Sequence, residues 1–161
     1  MNPTLELRFK TMIRALTEVI MPALDPANAL AQEQARLLVG HLHAALLQLP
    51  DVTQVTQLEQ TSLNALAMSL ITASAGGPLT RAATERVQSA LAADDHSSLT
   101  HAIEALIADS AADGCAEFLD ASRRAVLAHA KTATVLGRSW FKPMGFDSDP
   151  ASLPAISTLL N

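Results

Sequence analysis

Apolar residues recur three and four positions apart along most of the chain, the spacing that places them on one side of an α-helix. A first helix is expected to begin near Asn2 and Pro3, where a capping residue precedes a proline suited to the first helical position. Pro22 should end or bend it. Its apolar stripe consists of Leu5, Phe9, Met12, Leu16 and Ile20.

Proline, glycine and capping residues divide the rest of the chain into further helices. The expected spans are 25–49, 51–75, 80–93, 97–113 and 115–136, with a short last helix near 152–160. No stretch alternates apolar and polar residues as a half-buried strand does. The pattern predicts an all-α, single-domain antiparallel helical bundle of six or seven helices over residues 1–141. An irregular, Pro-rich tail over 142–161 is expected to pack on the bundle or on a partner subunit.

Leucines surround much of the second predicted helix, which indicates that this helix is largely buried. They are Leu30, Leu37, Leu38, Leu42, Leu46 and Leu49.

The composition narrows the class of protein. Hydrophobic residues make up 49% of the 161, which excludes an intrinsically disordered chain. A net charge of -5 argues against a nucleic-acid partner, which requires clustered positive charge. Charged residues make up 17%, below the average of about 25%. Part of the surface is therefore expected to be covered by another subunit, and a homo-oligomer (a dimer) or another protein is the expected partner.

The uncharged stretch 60–80 has the length of a membrane span. Its frequent polar residues and its Gly76-Gly77-Pro78 break favour a buried helix, so no membrane partner is expected. The N-terminal residues lack the apolar region of a secretory signal. Cys115 is the single cysteine, which excludes an internal disulfide and fits a cytoplasmic location.

No histidine or carboxylate spacing typical of a metal site is present, and no cofactor is expected. Three residues could each supply the polar anchor of a ligand pocket: His129, Asn64 and Arg138. His129 shares a helix side with apolar residues, and a buried imidazole can act as an acid or a base. The simpler alternative is a histidine satisfied by a nearby hydroxyl or carbonyl. Asn64 lies in the uncharged segment 60–80, where a polar amide calls for a structural or functional explanation.

The segment 76–81 leads into a predicted helix, and its backbone amides could hold an anion. An ordinary interhelical turn is the favoured interpretation. Cys115 also lies near a helix start, although a packed, inert thiol is the simpler expectation.

One aromatic cluster stands out in a chain with only 3% aromatic residues. It lies in residues 140–146. Tryptophan, phenylalanine and methionine are enriched in interface cores, so this segment is the expected contact with a partner. The alternative is that its aromatic side chains close the core. The predicted interface residues are Trp140, Phe141, Met144 and Phe146.

Two functions follow as hypotheses. The first is a small cytoplasmic interaction or accessory protein that self-associates or binds a protein partner. The second is a small-molecule-binding or catalytic bundle with an apolar pocket between helices and one polar anchor. No catalytic residue stands out, and whether the protein is an enzyme stays open.

Overall fold

The computed structural model describes residues 2–160, and its regular secondary structure in that range is helical. The all-α prediction is confirmed, while the antiparallel arrangement of the helices and the domain boundary after residue 141 stay predictions. Asn161, the end of the predicted tail, lies outside the described residues. The elements are α1 (Leu5–Ala15), a π-helical turn (Leu16–Ile20), α2 (Met21–Ala23), α3 (Ala29–Gln48), α4 (Val52–Ala73), α5 (Pro78–Ala92), α6 (His96–Asp113), α7 (Ala116–Phe141), 3-10 turns at Lys142–Met144 and Pro150–Ser152, and α8 (Ile156–Leu159).

Three helices begin within a few residues of the predicted starts, and the cap of the first is Thr4 instead of the expected Asn2. Thr4 caps α1, and its hydroxyl accepts from the Leu7 backbone N–H at 3.2 Å. Asn28 caps α3, and Asp95 caps α6 by accepting from two backbone N–H groups. In each case the cap is the polar side chain whose oxygen reaches the unpaired amides of the first turn. Pro22, expected to end or bend the first helix, follows the π-helical turn and lies within α2.

By packing, the chain divides into two compact units: residues 2–54 with 136–160 (unit 1), and residues 55–135 (unit 2). Unit 2 holds most of the buried apolar side chains. The aromatic ring of Phe118 and the side chains of Leu70 and Leu106 are almost fully enclosed. Its buried apolar residues are Val55, Leu63, Leu66, Ala67, Leu70, Ala83, Val87, Leu99, Ile103, Leu106 and Phe118.

Within unit 2, a glycine corner brings the start of α5 against the end of α6. The Gly77 N–H donates to the Asp113 carbonyl at 2.8 Å, and the Cys115 N–H donates to the Ala75 carbonyl at 2.9 Å. A Cβ on Gly76 would lie 2.8 Å from both the Asp113 carbonyl oxygen and the Gly114 Cα. Two backbones can approach this closely only where no side chain intervenes.

The Asp113 carboxylate occupies the N-terminus of α5. It accepts from the Leu79 N–H at 2.8 Å, from the Thr80 N–H at 3.0 Å and from the Thr80 hydroxyl at 2.6 Å. The pKa of Asp113 is lowered, chiefly by the Thr80 hydroxyl and further by the two amides. The amides that could have held a free anion therefore bind a carboxylate of the chain itself. The segment 76–81 is an interhelical turn, as the simpler interpretation had it.

Unit 1 is organised differently, because little of it is buried. Among the described residues its buried apolar side chains are Ala44, Leu136 and Leu153, and α1 has none. The prediction that the second helix is largely buried is wrong: Ala44 is the one buried residue of α3, while Leu30 is 68% exposed. A helix is covered only where a neighbour packs. In unit 1 the neighbours of α3 include α1, the 16–20 turn and the 142–144 turn, and they cover part of its circumference.

Among the helices of residues 2–160, none combines the length with the apolar composition that a bilayer crossing requires. The uncharged segment is divided between α4, the turn after it, and the first residues of α5. Leu63, Leu66 and Leu70 of α4 are buried in the core of unit 2, as expected for a buried helix.

We expect Asp113→Asn to lower the melting temperature by several degrees, because it removes the charged acceptor at the N-terminus of α5. The matched control is Asp109→Asn, also on α6, which removes an exposed ion pair with Arg86 and should change little. Thermal unfolding followed by circular dichroism measures both. Because the folded pKa of Asp113 is lowered, its contribution is fully present above about pH 3.9 and lost as pH falls through the folded pKa. Equal effects of the two substitutions would contradict a capping role.

Candidate functional site

Two pockets in unit 1 share Met144 and Phe146 and together form what we call the α3 groove. The larger, of about 430 Å³, is lined by His41, Gly137, Arg138, Phe141, Met144, Phe146 and Asp147. The smaller, of about 260 Å³, is lined by Glu33, Arg36, Leu37, Gly40, Pro143, Met144 and Phe146. One wall is therefore α3, and the other is the end of α7 with the segment that follows it.

The aromatic side chains at the groove are largely uncovered. Phe141 is 61% exposed and Phe146 is 74% exposed, whereas Met144 is half-buried. Trp140 is also half-buried, and its carbonyl accepts from the Gln48 side-chain amide at 2.7 Å. Three of the four predicted interface residues thus line one groove, and their role as an interface stays a prediction.

A short turn places Phe146 over the groove. Lys142–Met144 forms a 3-10 turn, and Gly145 follows with a φ of 75°, a left-handed conformation that favours glycine. The Gly145 N–H donates to the Lys142 carbonyl at 3.1 Å. The Lys142 ammonium in turn donates to the carbonyl of Leu153, whose side chain is buried. The turn is therefore fixed by a hydrogen bond within it and by a second one from Lys142 to Leu153.

An ion pair closes one side of the larger pocket. The Arg138 guanidinium donates two hydrogen bonds of 2.9 Å to the two oxygens of Asp147, the paired geometry that arginine and carboxylate favour. The pKa of Asp147 is lowered to about 2, chiefly by this arginine and then by the Asp149 N–H. The same pairing raises the pKa of Arg138. The pair ties the last turn of α7 to the segment beyond Phe146.

Two glycines in helix interiors line the groove from opposite walls. A Cβ built on Gly40 of α3 or on Gly137 of α7 would meet no heavy atom within 4 Å. Glycine inside a helix destabilises it by roughly 0.5–1 kcal/mol relative to alanine. Packing within the chain supplies no reason for either glycine, since both Cβ positions point into open space.

The sequence identified only part of this groove. Gly40, Gly137 and His41 were not predicted to line it. Gly40 lies inside a predicted helix, which is a detectable signal, whereas Gly137 directly follows the predicted helix end at residue 136 and the structure continues α7 through it to Phe141. Asp147 carried no local signal, because its role depends on Arg138 nine positions earlier.

The other two predicted ligand anchors lie in unit 2 and do not line this groove. His129 shares a hydrogen bond of 3.0 Å with the Ser62 hydroxyl, which matches the simpler expectation of a satisfied imidazole. Asn64 is half-buried on α4, two residues from Ser62 and therefore on a different side of that helix. Of the three proposed anchors, Arg138 alone lines the α3 groove.

The remaining candidates for chemistry are metal ligands and the single cysteine. Within residues 2–160 no group of three histidine, cysteine or acidic side chains is placed to hold a metal ion. The half-buried Cys115 sulfur accepts a weak hydrogen bond of 3.4 Å from the Phe118 N–H, an arrangement typical of a packed cysteine.

No protein family model, no curated protein and no solved structure matches this chain. Function is therefore inferred from the geometry of the groove.

We expect Arg138→Gln to move the pKa of Asp147 from about 2 back toward its ordinary value of about 3.9, because the main stabiliser of the carboxylate is removed. An NMR titration of the carboxyl carbon measures this. Lys142→Gln is the control and should shift the pKa far less, since Lys142 is the smallest contributor.

The sign of the pH dependence follows from the lowered pKa. The stability that the Asp147 carboxylate contributes is fully present above about pH 3.9 and is lost as pH falls through about 2. An Asp147 pKa that Arg138→Gln leaves unchanged would show that the ion pair does not form in solution.

Proposed function

We propose that this protein is a binding module, self-associating or accessory to another protein, that holds an apolar segment of a protein chain in the α3 groove. The observation that carries the proposal is the exposure of Phe141 and Phe146, 61% and 74%, beside a pocket of about 430 Å³. Large aromatic side chains gain most when they are buried in an interface.

The groove has the features of a docking surface for a folded segment. Its rings and its methionine make one wall apolar, and methionine adapts to partners of different shape. Polar groups stand at its edges, namely Glu33 and Arg36 at one end and the Arg138–Asp147 pair at the other. An apolar centre with a polar rim is the usual anatomy of a protein interface.

The proposal also covers the location of the protein, which is the cytoplasm, and the class of its partner, which is a protein. A single cysteine and a net charge of -5 support a cytoplasmic protein without a nucleic-acid partner.

A small-molecule ligand is the second candidate function, and the volume of the larger pocket favours it. About 430 Å³ lies within the usual range of ligand sites, roughly 300–1,000 Å³. Arg138 is the polar anchor that this alternative retains. Its pairing with Asp147 uses two of the guanidinium donors and leaves the others for a ligand.

The apolar probe anilinonaphthalene sulfonate, applied at low protein concentration, tests the groove as a binding surface. We expect its fluorescence to rise on binding, and Gly137→Leu to weaken that binding about tenfold, because a side chain there removes some 60 Å² of apolar contact. Phe146→Ser should weaken it in the same way. The single tryptophan, Trp140, lies next to Phe141 and gives a second, intrinsic signal.

Two control substitutions lie outside the groove. Ala128→Leu adds an equal side chain at an exposed position on the same helix as Gly137, and Met68→Ser removes a side chain that is 54% exposed on α4. Both should leave probe binding unchanged. Probe binding that all four variants leave unaffected would place the apolar surface elsewhere and end the proposal.

A further inference from the structure

We infer that the occupant of the α3 groove is a second copy of this chain, which covers the groove as one half of a two-fold symmetric dimer. The inference rests on the proposed function, in which this groove is the binding surface, and it names the partner.

The first support is the amount of apolar surface that unit 1 leaves uncovered. Beside Phe141 and Phe146, its exposed side chains on α1, the turn after it and α3 include Leu5, Leu7, Met12, Val19, Ile20, Leu30, Leu37, Leu38 and Leu47. At ordinary transfer areas these side chains expose roughly 700 Å² of apolar surface. A standard interface takes about 800 Å² from each partner, and about 65% of a homodimer interface is apolar. These side chains lie on more than one side of their helices, so one partner copy covers the part of this area that adjoins the groove, which includes Phe141, Phe146 and Leu37.

Two exposed leucines of α3 lie on the side of the helix that borders the groove. Leu30 and Leu37 are seven residues apart and so lie on the same side of the helix, where Leu37 forms part of the smaller pocket. A partner seated in the groove would cover both leucines, which the chain itself leaves 68% and 37% exposed.

The second support is the pair of glycines. Gly40 and Gly137 each weaken a helix, and nothing in their surroundings explains them. Glycine permits close backbone approach, as between packed helices, where even a methyl group would hold the two chains apart. A helix of a second copy that lies between these two positions explains both glycines, because its backbone can then approach both helices closely.

The third support is charge. Glu33 and Arg36 stand one turn apart on α3 in the smaller pocket, both exposed, and no ion pair within residues 2–160 includes either one. In a two-fold interface, where residue i meets residue j, residue j also meets residue i. An axis near this turn brings Glu33 of each chain to Arg36 of the other, so the surface is complementary to itself. A partner with a strong charge of one sign gains no such match.

Sedimentation equilibrium over a range of concentrations tests the inference, with the full chain as the sample. We expect the wild type to be a dimer that dissociates on dilution. Gly137→Leu should raise the dissociation constant at least about tenfold while the melting temperature of the dilute protein stays the same or rises, because the new side chain meets open space. Ala128→Leu on the same helix is the matched control and should leave the dissociation constant unchanged.

A charge exchange tests the two-fold symmetry. Glu33→Arg alone and Arg36→Glu alone should each weaken the dimer, since each places like charges opposite one another. The double variant Glu33→Arg/Arg36→Glu should recover it. An equimolar mixture of the two single variants should form a mixed dimer more tightly than either variant associates with itself, which intrachain effects of the same substitutions do not produce.

A wild type that stays monomeric at the highest concentrations overturns the inference, and so does a dimer that Gly137→Leu and both charge variants leave unchanged. A monomer that instead binds neutral phosphatidylcholine vesicles through the groove also overturns it, because the occupant is then a lipid surface. If the chain is monomeric but the groove variants still weaken binding of anilinonaphthalene sulfonate, the dimer is refuted and the proposed binding function stands.

Discussion

Burial of apolar side chains holds a set of helices in place, and in this protein that burial is concentrated in one half. Between residues 55 and 135, leucines, valine and a phenylalanine enclose one another around Leu70 and Leu106. The glycine corner makes this possible, because it lets α5 turn directly against the end of α6, and the Asp113 carboxylate satisfies the amides left at the start of α5. Close packing and hydrogen bonding of the first amides of α5 therefore occur at the same place, where Thr80 is buried.

In unit 1, specific polar contacts shape the C-terminal segment where a core is lacking. The Gln48 side chain donates to the carbonyl of Trp140 near the end of α7, and the Lys142 ammonium donates to the carbonyl of Leu153. Arg138 pairs with Asp147. Such contacts are directional and fix a backbone path, yet each contributes little net free energy in water. A surface built in this way is well defined and still largely apolar, which is the combination that a docking surface needs.

Polar contacts fix the shape of the groove, and its interior is open. Its aromatic side chains are positioned by a turn and an ion pair instead of by burial, so they remain exposed at the surface. Its two helix glycines keep space open at a cost in helix stability. The proposed binding function gives these features a physical rationale.

The sequence by itself determined the helices. Most of their spans follow from the three-to-four spacing of leucine and alanine and from the proline and glycine breaks, since both signals act over a few neighbouring residues. The predicted end at residue 136 is wrong, because α7 continues through Gly137 to Phe141. It also singled out the segment from Trp140 to Phe146. The apolar pattern did not reveal that the leucines of α3 stay exposed, because leucine at a given position is compatible with any cover, from the same chain or from another. Only the tertiary structure decided that Asp113 fills the start of α5, that Asp147 pairs with Arg138, and that Gly40 and Gly137 face one groove. These contacts join residues distant in sequence or on separate elements, and their geometry is set by packing that no local pattern records.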